Sequence, residues 1–330
     1  MRAALLVSIP AEHQPVRDVP DPVPTPGEAL LEVTACGICG TDLHILEGRA
    51  YRPELPFVLG HEPVGRVVAT GSPKDAAWIG RRATITLFRG CGRCRTCAAG
   101  DQRLCPDLAS ITGVLRAWGG FAERLVVAMD QLVPLPDTLG DAAAASLVDA
   151  GATAANAVRV APAADDALTV VAGGGPVGFF VAELLRAAGR RCVVVQPSAA
   201  RREALAALGH VVAPDIHDVT ERPAAVIDCA GAPEILPWSM DVLLPQGAYV
   251  AAGYGPVEHL ELAPLARKEL VIRGVRSGRR EDREAIVASA AAGRVRIPPI
   301  STWPLAGIDD AVAALRARQV PGKAVIDVRA

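Results

Sequence analysis

The pattern of apolar and polar positions along the chain changes near residue 140. Before that point, short apolar stretches rich in β-branched residues are bounded by glycine and proline, as at 29–34 and 65–70, which predicts strands. Prolines recur at every second position of 20–26. Proline cannot continue a helix, because its nitrogen carries no hydrogen and its ring clashes with the preceding turn. The first 140 residues or so are therefore predicted to form a compact β-rich module with long loops.

After residue 140, helical and strand patterns alternate. An alanine-rich helix is predicted at 141–160, a buried strand at 168–171 and a second helix at 176–188. The alternation continues with strands at 192–195, 225–228, 248–251 and 270–272 and with helices at 199–208 and 283–292. This spacing is typical of a doubly wound parallel sheet. The last elements are predicted to be a helix at 308–318 and a strand at 323–328.

Charge and hydropathy narrow the class of protein. The chain carries 34 Lys and Arg against 36 Asp and Glu, a net charge of −2. This balance argues against nucleic acid as the main partner, because binding to phosphates normally requires a basic stripe. The apolar runs are far shorter than the roughly 20 residues that span a bilayer. The apolar run at 2–7 is too short for a secretion signal and predicts a first strand. We therefore expect a cytoplasmic protein with neither a nucleic-acid nor a membrane partner.

Four of the eight cysteines follow one another at C-x2-C-x2-C-x7-C spacing: Cys91, Cys94, Cys97 and Cys105. In a reducing compartment, clustered cysteines are typical of metal ligands, and four thiolates this close in sequence can surround one tetrahedral ion. An iron–sulfur cluster is the alternative, because ferredoxin loops run C-x2-C-x2-C-x3-C-P and Pro106 follows Cys105. Here seven residues instead of three separate the last two cysteines, so the spacing favours a structural zinc site.

A glycine-rich turn follows the predicted strand at 168–171. Its residues fit the G-x-G-x-x-G pattern: Gly173, Gly174, Gly175, Pro176, Val177 and Gly178. The glycines permit a tight turn and a close approach of the backbone to a pyrophosphate, and the N–H groups at the helix start attract anions. Such a turn can also be purely structural, but the strand before it and the helix after it favour dinucleotide binding.

The end of the next strand bears on the choice of cofactor. An acidic residue at this place normally bonds the ribose hydroxyls of NAD, whereas this chain has Gln196, followed by Ser198, Arg201 and Arg202. Without the carboxylate a 2′-phosphate is not repelled, and the arginines could pair with it. The alternative is that both arginines are solvated charges on a surface helix. We expect NADP in preference to NAD.

Two further segments place zinc-ligand side chains in the β-rich module. They are Gly37-Ile38-Cys39-Gly40-Thr41-Asp42-Leu43-His44 and Gly60-His61-Glu62. A thiolate and an imidazole suit zinc, although a lone histidine is more often a structural residue. Together with the cysteine cluster and the glycine-rich turn, these segments identify a resemblance that covers nearly the whole chain. The sequence resembles the zinc-dependent medium-chain alcohol dehydrogenases.

The resemblance implies roles for residues of these segments. Cys39 and His61 match two ligands of a catalytic zinc, and Asp42 matches the carboxylate that orients the ligand histidine. Glu62 matches an acid that sits behind the metal or transiently joins it. The four clustered cysteines match the ligands of a second, structural zinc. Two zinc ions per chain are therefore expected.

The resemblance also implies a proton relay, a pyrophosphate contact and the domain bounds. Thr41 and His44 match a pair that moves the alcohol proton to solvent, and Lys323 matches a basic residue near the pyrophosphate. The implied fold is a GroES-like β-rich catalytic domain of residues 1–146 and 288–330. A Rossmann domain of residues 147–287 would bind the dinucleotide.

One ligand position departs from the pattern of many members. They carry cysteine at the head of a Cys-Ala-Gly-x-Thr stretch, where this chain has Asp149-Ala150-Gly151-Ala152-Thr153. A carboxylate is an acceptable zinc ligand, and other members use Glu or Asp at this position, so we expect Asp149 to be the third ligand. The alternative is that Asp149 caps a helix beside a site that has lost its metal.

The expected function is hydride transfer between an alcohol, including a polyol or sugar-like secondary alcohol, and NAD(P)+. The expected partners are a small alcohol or carbonyl substrate and further copies of the chain, as a homodimer or homotetramer. Two alternatives share the architecture: a zinc-free quinone or enoyl reductase, and a binding protein built on a catalytically retired dehydrogenase. The sequence leaves the identity of the substrate open.

Overall fold

A computed structural model describes residues 1–162 and 166–330, which form two compact units. The first unit comprises Met1–Asp149 and Pro299–Ala330, and the second comprises Ala150–Pro298. The first junction lies close to the expected one at 146/147. The second lies at 298/299 and not at 287/288, because the expected boundary would cut through a helix that spans Arg280–Ala291. The segment after that helix also belongs to the second unit, since the backbone N–H of Arg296 donates to Glu183, 2.8 Å away.

The described residues contain the following strands, in chain order: β1 (Arg2–Ala4), β2 (Val16–Asp18), β3 (Glu28–Ile38), β4 (Glu62–Thr70), β5 (Arg82–Ile85), β6 (Phe88–Arg89), β7 (Ser110–Thr112), β8 (Arg116–Ala117), β9 (Arg124–Ala128), β10 (Leu132–Pro134), β11 (Thr169–Ala172), β12 (Cys192–Val195), β13 (Val211–Ala213), β14 (Ala225–Asp228), β15 (Ala248–Ala251), β16 (Val271–Gly274), β17 (Ile300–Pro304) and β18 (Lys323–Asp327).

The α-helices of the same residues are α1 (Gly40–Leu46), α2 (Arg95–Ala98), α3 (Asp141–Ser146), α4 (Ala152–Val160), α5 (Pro176–Ala187), α6 (Ala199–Ala207), α7 (Ile235–Val242), α8 (Leu262–Lys268), α9 (Arg280–Ala291) and α10 (Ile308–Arg316). A π-helical turn spans Leu147–Gly151, and short 3-10 turns span Pro73–Trp78, Gln102–Leu104, Met129–Gln131, Ile216–Asp218 and Leu305–Gly307. Among the described residues, no helix is long and apolar enough to cross a membrane.

The first unit is built on a seven-stranded sheet in the order β10-β5-β4-β3-β18-β17, with β9 also paired to β3. The central strand β3 is 11 residues long and almost entirely buried. Antiparallel pairing with β4 sets Gly37 opposite Glu62, and antiparallel pairing with β18 sets Gly37 opposite Val325. This register brings the start of β4 and the start of β18 to the same place on β3. The prediction of a β-rich module is confirmed.

The second unit is a six-stranded, all-parallel sheet in the order β13-β12-β11-β14-β15-β16. The order runs outward from β11 in both directions, which is the doubly wound arrangement that binds a dinucleotide beyond the carboxyl ends of its strands. Buried side chains of the central strands, including Val170, Val226 and Tyr249, form its apolar core. The predicted Rossmann-type sheet is confirmed.

Two local predictions need correction. The helix predicted at 141–160 is interrupted, because α3 ends at Ser146 and the π-helical turn separates it from α4. The sequence in this region is rich in alanine, which forms helix readily, so its pattern gives no clear sign of the break. Strand β13 was not predicted: its residues are all apolar, but a run of three is shorter than the four to eight residues that mark a strand in the sequence.

Candidate zinc and dinucleotide sites

Three predicted zinc ligands converge in the first unit from three separate elements. Cys39 directly follows β3 and precedes α1, His61 directly precedes β4, and Asp149 lies in the π-helical turn. Oδ2 of Asp149 lies 4.0 Å from Sγ of Cys39 and 3.7 Å from Nε2 of His61. With a carboxylate oxygen of Glu62, these ligand atoms all lie within 4.8 Å of one another.

These separations fit a tetrahedral zinc ion. Ligand atoms bound at about 2.0–2.3 Å in tetrahedral geometry lie roughly 3.5 Å from one another. The distances of 3.7 and 4.0 Å exceed that value by half an ångström or less. Sulfur, nitrogen and oxygen donors are all ordinary zinc ligands, and three protein ligands leave a fourth position for water or substrate. The residues therefore fit a catalytic zinc.

Asp42 holds two of the ligands in place. It is fully buried, and its Oδ2 accepts a hydrogen bond from the backbone N–H of Cys39 at 2.9 Å. Its Oδ1 lies 3.4 Å from Nδ1 of His61, so the opposite ring nitrogen, Nε2, faces Asp149. A carboxylate on the far nitrogen of a ligand histidine fixes the tautomer and the orientation of the ring. The role implied for Asp42 by the resemblance agrees with this geometry.

The electrostatics of the site favour a cation. Burial of the His61 ring opposes its charged form, but the neighbouring Asp42, Asp149 and Cys39 outweigh burial and raise the pKa of His61 well above its usual value. The pKa of Glu62 is also raised, because burial disfavours its charge more than the nearby Lys323 favours it. Acidic groups that gather around a buried position in this way stabilise a positive charge placed between them.

Lys323 lies beside Glu62 at the zinc-ligand cluster. Its side chain is only 2% exposed, and its Nζ donates a 2.7 Å hydrogen bond to Oε1 of Glu62. The pyrophosphate contact that the resemblance implies for Lys323 stays a prediction, and the structure adds the bond of this buried ammonium group to Glu62. The pair fits across β3 because Gly37 has no side chain: a Cβ there would lie 1.9 Å from Oε2 of Glu62. A glycine inside an apolar strand is a sign of such a close approach, and Gly37 is the signal in the sequence that could have revealed this pair.

Thr41 and His44, the expected proton relay, lie on the short helix α1 that follows Cys39. Both side chains are half-buried. Residues three apart in a helix occupy the same face, so a proton could pass from one to the other toward solvent. Cys36 is close by in β3 but fully buried, and burial raises the pKa of its thiol. It is not part of the ligand cluster.

The four clustered cysteines come together in the same unit. Their sulfur atoms lie within 4.8 Å of one another, and Sγ of Cys94 lies 3.7 Å from Sγ of Cys105. Sulfur atoms bound at about 2.3 Å to a tetrahedral zinc are separated by roughly 3.8 Å. The backbone N–H of Cys91 points at the sulfur of Cys105, 3.3 Å away. Hydrogen bonds from Thr96 and from the backbone of Cys97 lower the pKa of Cys94 to about 6, which makes it a ready thiolate ligand.

The glycine-rich turn has the geometry of a pyrophosphate site. Strand β11 ends at Ala172, Gly173 takes a φ of +98°, and α5 begins at Pro176. Proline at the first helical position loses no hydrogen bond. A Cβ on Gly178 would lie 1.8 Å from the carbonyl oxygen of Gly173, so only glycine permits this turn to pack on the helix. The N–H groups at the start of α5 then remain for an anion.

Gln196 takes the place after β12 where an acidic residue was expected. It is buried, and its Oε1 accepts a 3.0 Å hydrogen bond from the backbone N–H of Ser198. Arg202 donates to the backbone carbonyls of Gln196 and Pro197 at 2.8 and 2.6 Å, so its guanidinium group is bonded to the turn itself. Arg201 is half-buried in α6.

Family models match both halves of the chain. An alcohol dehydrogenase GroES-like domain matches residues 25–137, and a zinc-binding dehydrogenase domain matches residues 176–292. An alcohol dehydrogenase of Geobacillus stearothermophilus is 29% identical, over 99% of this chain and 100% of that protein.

Solved structures show the same fold. The cobalt- and zinc-bound thermostable alcohol dehydrogenase of Pyrobaculum aerophilum is 27% identical over 99% of both chains, with a TM-score of 0.90. A zinc-binding dehydrogenase of Sinorhizobium meliloti 1021, solved with NADP, is 28% identical, with a TM-score of 0.86 over 99% of this chain and 98% of that one. The chain therefore belongs to the zinc-dependent medium-chain dehydrogenase/reductase family.

Proposed function

We propose that this protein is a zinc-dependent dehydrogenase that transfers a hydride between an alcohol carbon and NAD(P)+. The observation that carries the proposal is the convergence of Cys39, His61 and Asp149. Oδ2 of Asp149 lies 4.0 Å from Sγ of Cys39 and 3.7 Å from Nε2 of His61. The intact cluster argues against a zinc-free quinone or enoyl reductase, which needs no such donors. It also argues against a retired site, because Asp149 faces the other two ligands.

The chain's own residues would prepare and complete the reaction. Zinc, held by Cys39, His61 and Asp149, would supply a Lewis acid that lowers the pKa of the alcohol, and the nicotinamide ring would supply the hydride acceptor. Asp42 keeps the ring of His61 fixed. Thr41 and His44 would accept the hydroxyl proton of the alcohol and pass it to solvent.

Glu62 and Lys323 would adjust the charge beside the metal. The Glu62 carboxylate is within reach of the ligand cluster and is held by the ammonium group of Lys323. While it is held there, Lys323 offsets part of the negative charge around the metal. The same hydrogen bond would keep Glu62 from coordinating the metal permanently.

We further propose that the cysteine cluster binds a second zinc with a structural role. Its sulfur separations support this, and so does its distance in sequence from the other ligands. All eight cysteines are free thiols, and thiolate ligands persist in a reducing compartment. On this ground we propose a cytoplasmic location.

We propose NADP as the preferred cofactor. Gln196 leaves no carboxylate after β12 to repel a 2′-phosphate, and Arg201 lies close behind it at the start of α6. Titration of the wild type with NADP+ and NAD+ tests this preference. A tenfold or greater preference for NAD+, about 1.4 kcal/mol, would overturn it. Arg201→Ala should weaken NADP+ binding selectively, and Arg267→Ala, which removes an exposed arginine of the same unit, is the control.

A homodimer or homotetramer is the proposed assembly, with β16 as the contact. All four residues of this edge strand are exposed, including the apolar Val271 and Ile272. An exposed apolar edge strand offers unpaired N–H and C=O groups to a second copy of the same strand. Light scattering of the wild type and of Ile272→Lys tests this: a smaller particle is expected for the variant.

Metal content and turnover together test the main proposal. We expect two zinc ions per chain by elemental analysis and NAD(P)H formation with some member of a panel of primary alcohols, polyols, sugars and aminocyclitols. One zinc and no turnover would favour the retired binding protein. No zinc, with turnover on quinones or enoyl substrates, would favour the zinc-free reductase.

A further inference from the structure

Asp228 is a buried acidic residue that the zinc and pyrophosphate sites do not use. It is the last residue of β14 and is fully buried. Its Oδ1 accepts hydrogen bonds from the backbone N–H groups of Ala230 and Gly231, both at 2.8 Å. Its Oδ2 accepts a 2.6 Å hydrogen bond from the hydroxyl group of Tyr249 on β15. A single carboxyl group therefore ties the turn after β14 to the neighbouring strand.

The turn that Asp228 holds lies against a second turn, the one that follows β15. The carbonyl oxygen of Asp228 accepts hydrogen bonds from Ala252 and Gly253 at 2.8 and 2.7 Å. A Cβ on Gly253 would lie 2.6 Å from the nitrogen of Gly231, so the two backbones are in direct contact. Asp228 thus fixes both turns, through its side chain on one and through its carbonyl on the other.

These turns lie at a defined part of the expected dinucleotide site. In a doubly wound sheet each half binds one mononucleotide beyond the carboxyl ends of its strands, and the adenosine ribose is read after the second strand. In this unit that position is Gln196 after β12, in the half formed by β11, β12 and β13. The half formed by β14, β15 and β16 is therefore left for the nicotinamide mononucleotide.

We propose that Asp228 is a positioning residue that fixes the two turns on which the nicotinamide half of the dinucleotide rests. This inference rests on the proposed dehydrogenase function. The turn of the adenosine half has an anchor of its own, since the N–H of Gly173 is held by the carbonyl of Val195 on β12, 2.8 Å away. Loss of the Asp228 carboxyl should therefore affect one half of the cofactor more than the other.

The state of Tyr249 supports this arrangement. Burial and the adjacent Asp228 raise the pKa of its phenol, which favours the protonated hydroxyl group that donates to Asp228. Tyr249 is itself buried, and its ring packs in the core of the sheet. The hydrogen bond to Asp228 is therefore a fixed link between β14 and β15.

Calorimetric titration of the zinc-loaded protein tests the inference with two probes. One is the oxidised dinucleotide that the wild type prefers. The other is the matching ADP-ribose, with or without a 2′-phosphate, which contains the adenosine half and the pyrophosphate but no nicotinamide. For Asp228→Ala we expect the dissociation constant of the dinucleotide to rise at least tenfold and that of the ADP-ribose probe to change less than threefold. Asp228→Asn keeps an oxygen for both N–H groups and should restore most of the dinucleotide affinity.

A matched control separates positioning from general destabilisation. Val226→Ala removes buried apolar atoms from the same strand, and we expect it to lower the melting temperature while leaving both dissociation constants unchanged. Equal weakening of both probes by Asp228→Ala, or weakening of neither, would overturn the inference and leave the proposed function standing. A wild type that binds neither probe would overturn both. If Asp228→Ala does not fold, Tyr249→Phe takes its place: a selective loss of dinucleotide affinity supports the inference, and unchanged affinity refutes it.

Discussion

Replacing Lys323 with methionine should strongly destabilise the first unit. The ammonium group of Lys323 and the carboxylate of Glu62 are both buried, with 2% and 0% of their side chains exposed, and Nζ lies 2.7 Å from Oε1 and 2.5 Å from Oε2. Methionine retains most of the volume but leaves the carboxylate buried without its partner, which typically costs about 3–5 kcal/mol. In a unit of this size each 1 kcal/mol lowers the melting temperature by about 2–4 °C. The expected fall is therefore roughly 6–20 °C.

Differential scanning calorimetry of the zinc-loaded protein measures this fall. Arg191→Met is the control, because it removes a similar charge from an exposed pair with Glu221, where a much smaller shift is expected. The double variant Glu62→Gln, Lys323→Met should recover part of the loss, because no uncompensated charge is then buried. A shift of less than about 2 °C for Lys323→Met alone would mean that Glu62 does not depend on Lys323, and the reasoning from the buried pair would be wrong.

Three further predictions concern the metal sites and the second unit. Asp149→Asn should lower kcat at least about 100-fold and leave only the structural zinc, because an amide is a weaker ligand than a carboxylate. Two zinc ions per chain by elemental analysis, with unchanged turnover, would contradict this prediction. Cys97→Ser should remove one zinc and lower the melting temperature, because closed zinc sites contribute to folding; unchanged zinc content and melting would show that the cluster binds no metal. Glu183→Gln should destabilise the second unit at pH 7. Burial opposes the charge of Glu183, but hydrogen bonds from His210, Arg296 and Arg186 outweigh it and lower the pKa of Glu183. The charged carboxylate therefore stabilises the fold above its unfolded pKa, and this stabilisation is lost as pH falls. The melting temperatures of the wild type and Glu183→Gln should converge between pH 7 and pH 3, and a constant difference would contradict the assignment.

The features that the sequence predicted well are those whose residues are close together along the chain. The four-cysteine cluster spans Cys91 to Cys105, and the pyrophosphate turn spans Gly173 to Gly178. In both, a short segment contains all the side chains or N–H groups that the chemistry needs, so the spacing itself limits the geometry. The alternation of strands and helices after residue 140 predicted the parallel sheet for the same reason, because each strand and helix is a local pattern.

The features that the sequence did not predict depend on pairings between distant segments. Lys323 and Glu62 are 261 residues apart, and only the register of β4, β3 and β18 brings them together. Matching Lys323 to a family position suggested a pyrophosphate contact and gave no sign of its bond to Glu62. Asp228 could have been noticed as an acidic residue at the end of a buried strand. The donors that it binds, however, become apparent only once β14 and β15 are paired.

The backbone around Asp149 explains why this position was the hardest to judge from sequence. Leu147, Val148 and Ala150 are almost completely buried, whereas 17% of the Asp149 side chain is exposed. A π-helical turn holds one more residue per turn than an α-helix, and such turns occur mostly at functional sites. Uninterrupted α-helix from Asp141 onward would rotate residue 149 to a different face, so the extra residue directs its carboxylate toward His61 and Cys39. The buried neighbours fix that direction, which leaves Oδ2 of Asp149 4.0 Å from Sγ of Cys39 and 3.7 Å from Nε2 of His61.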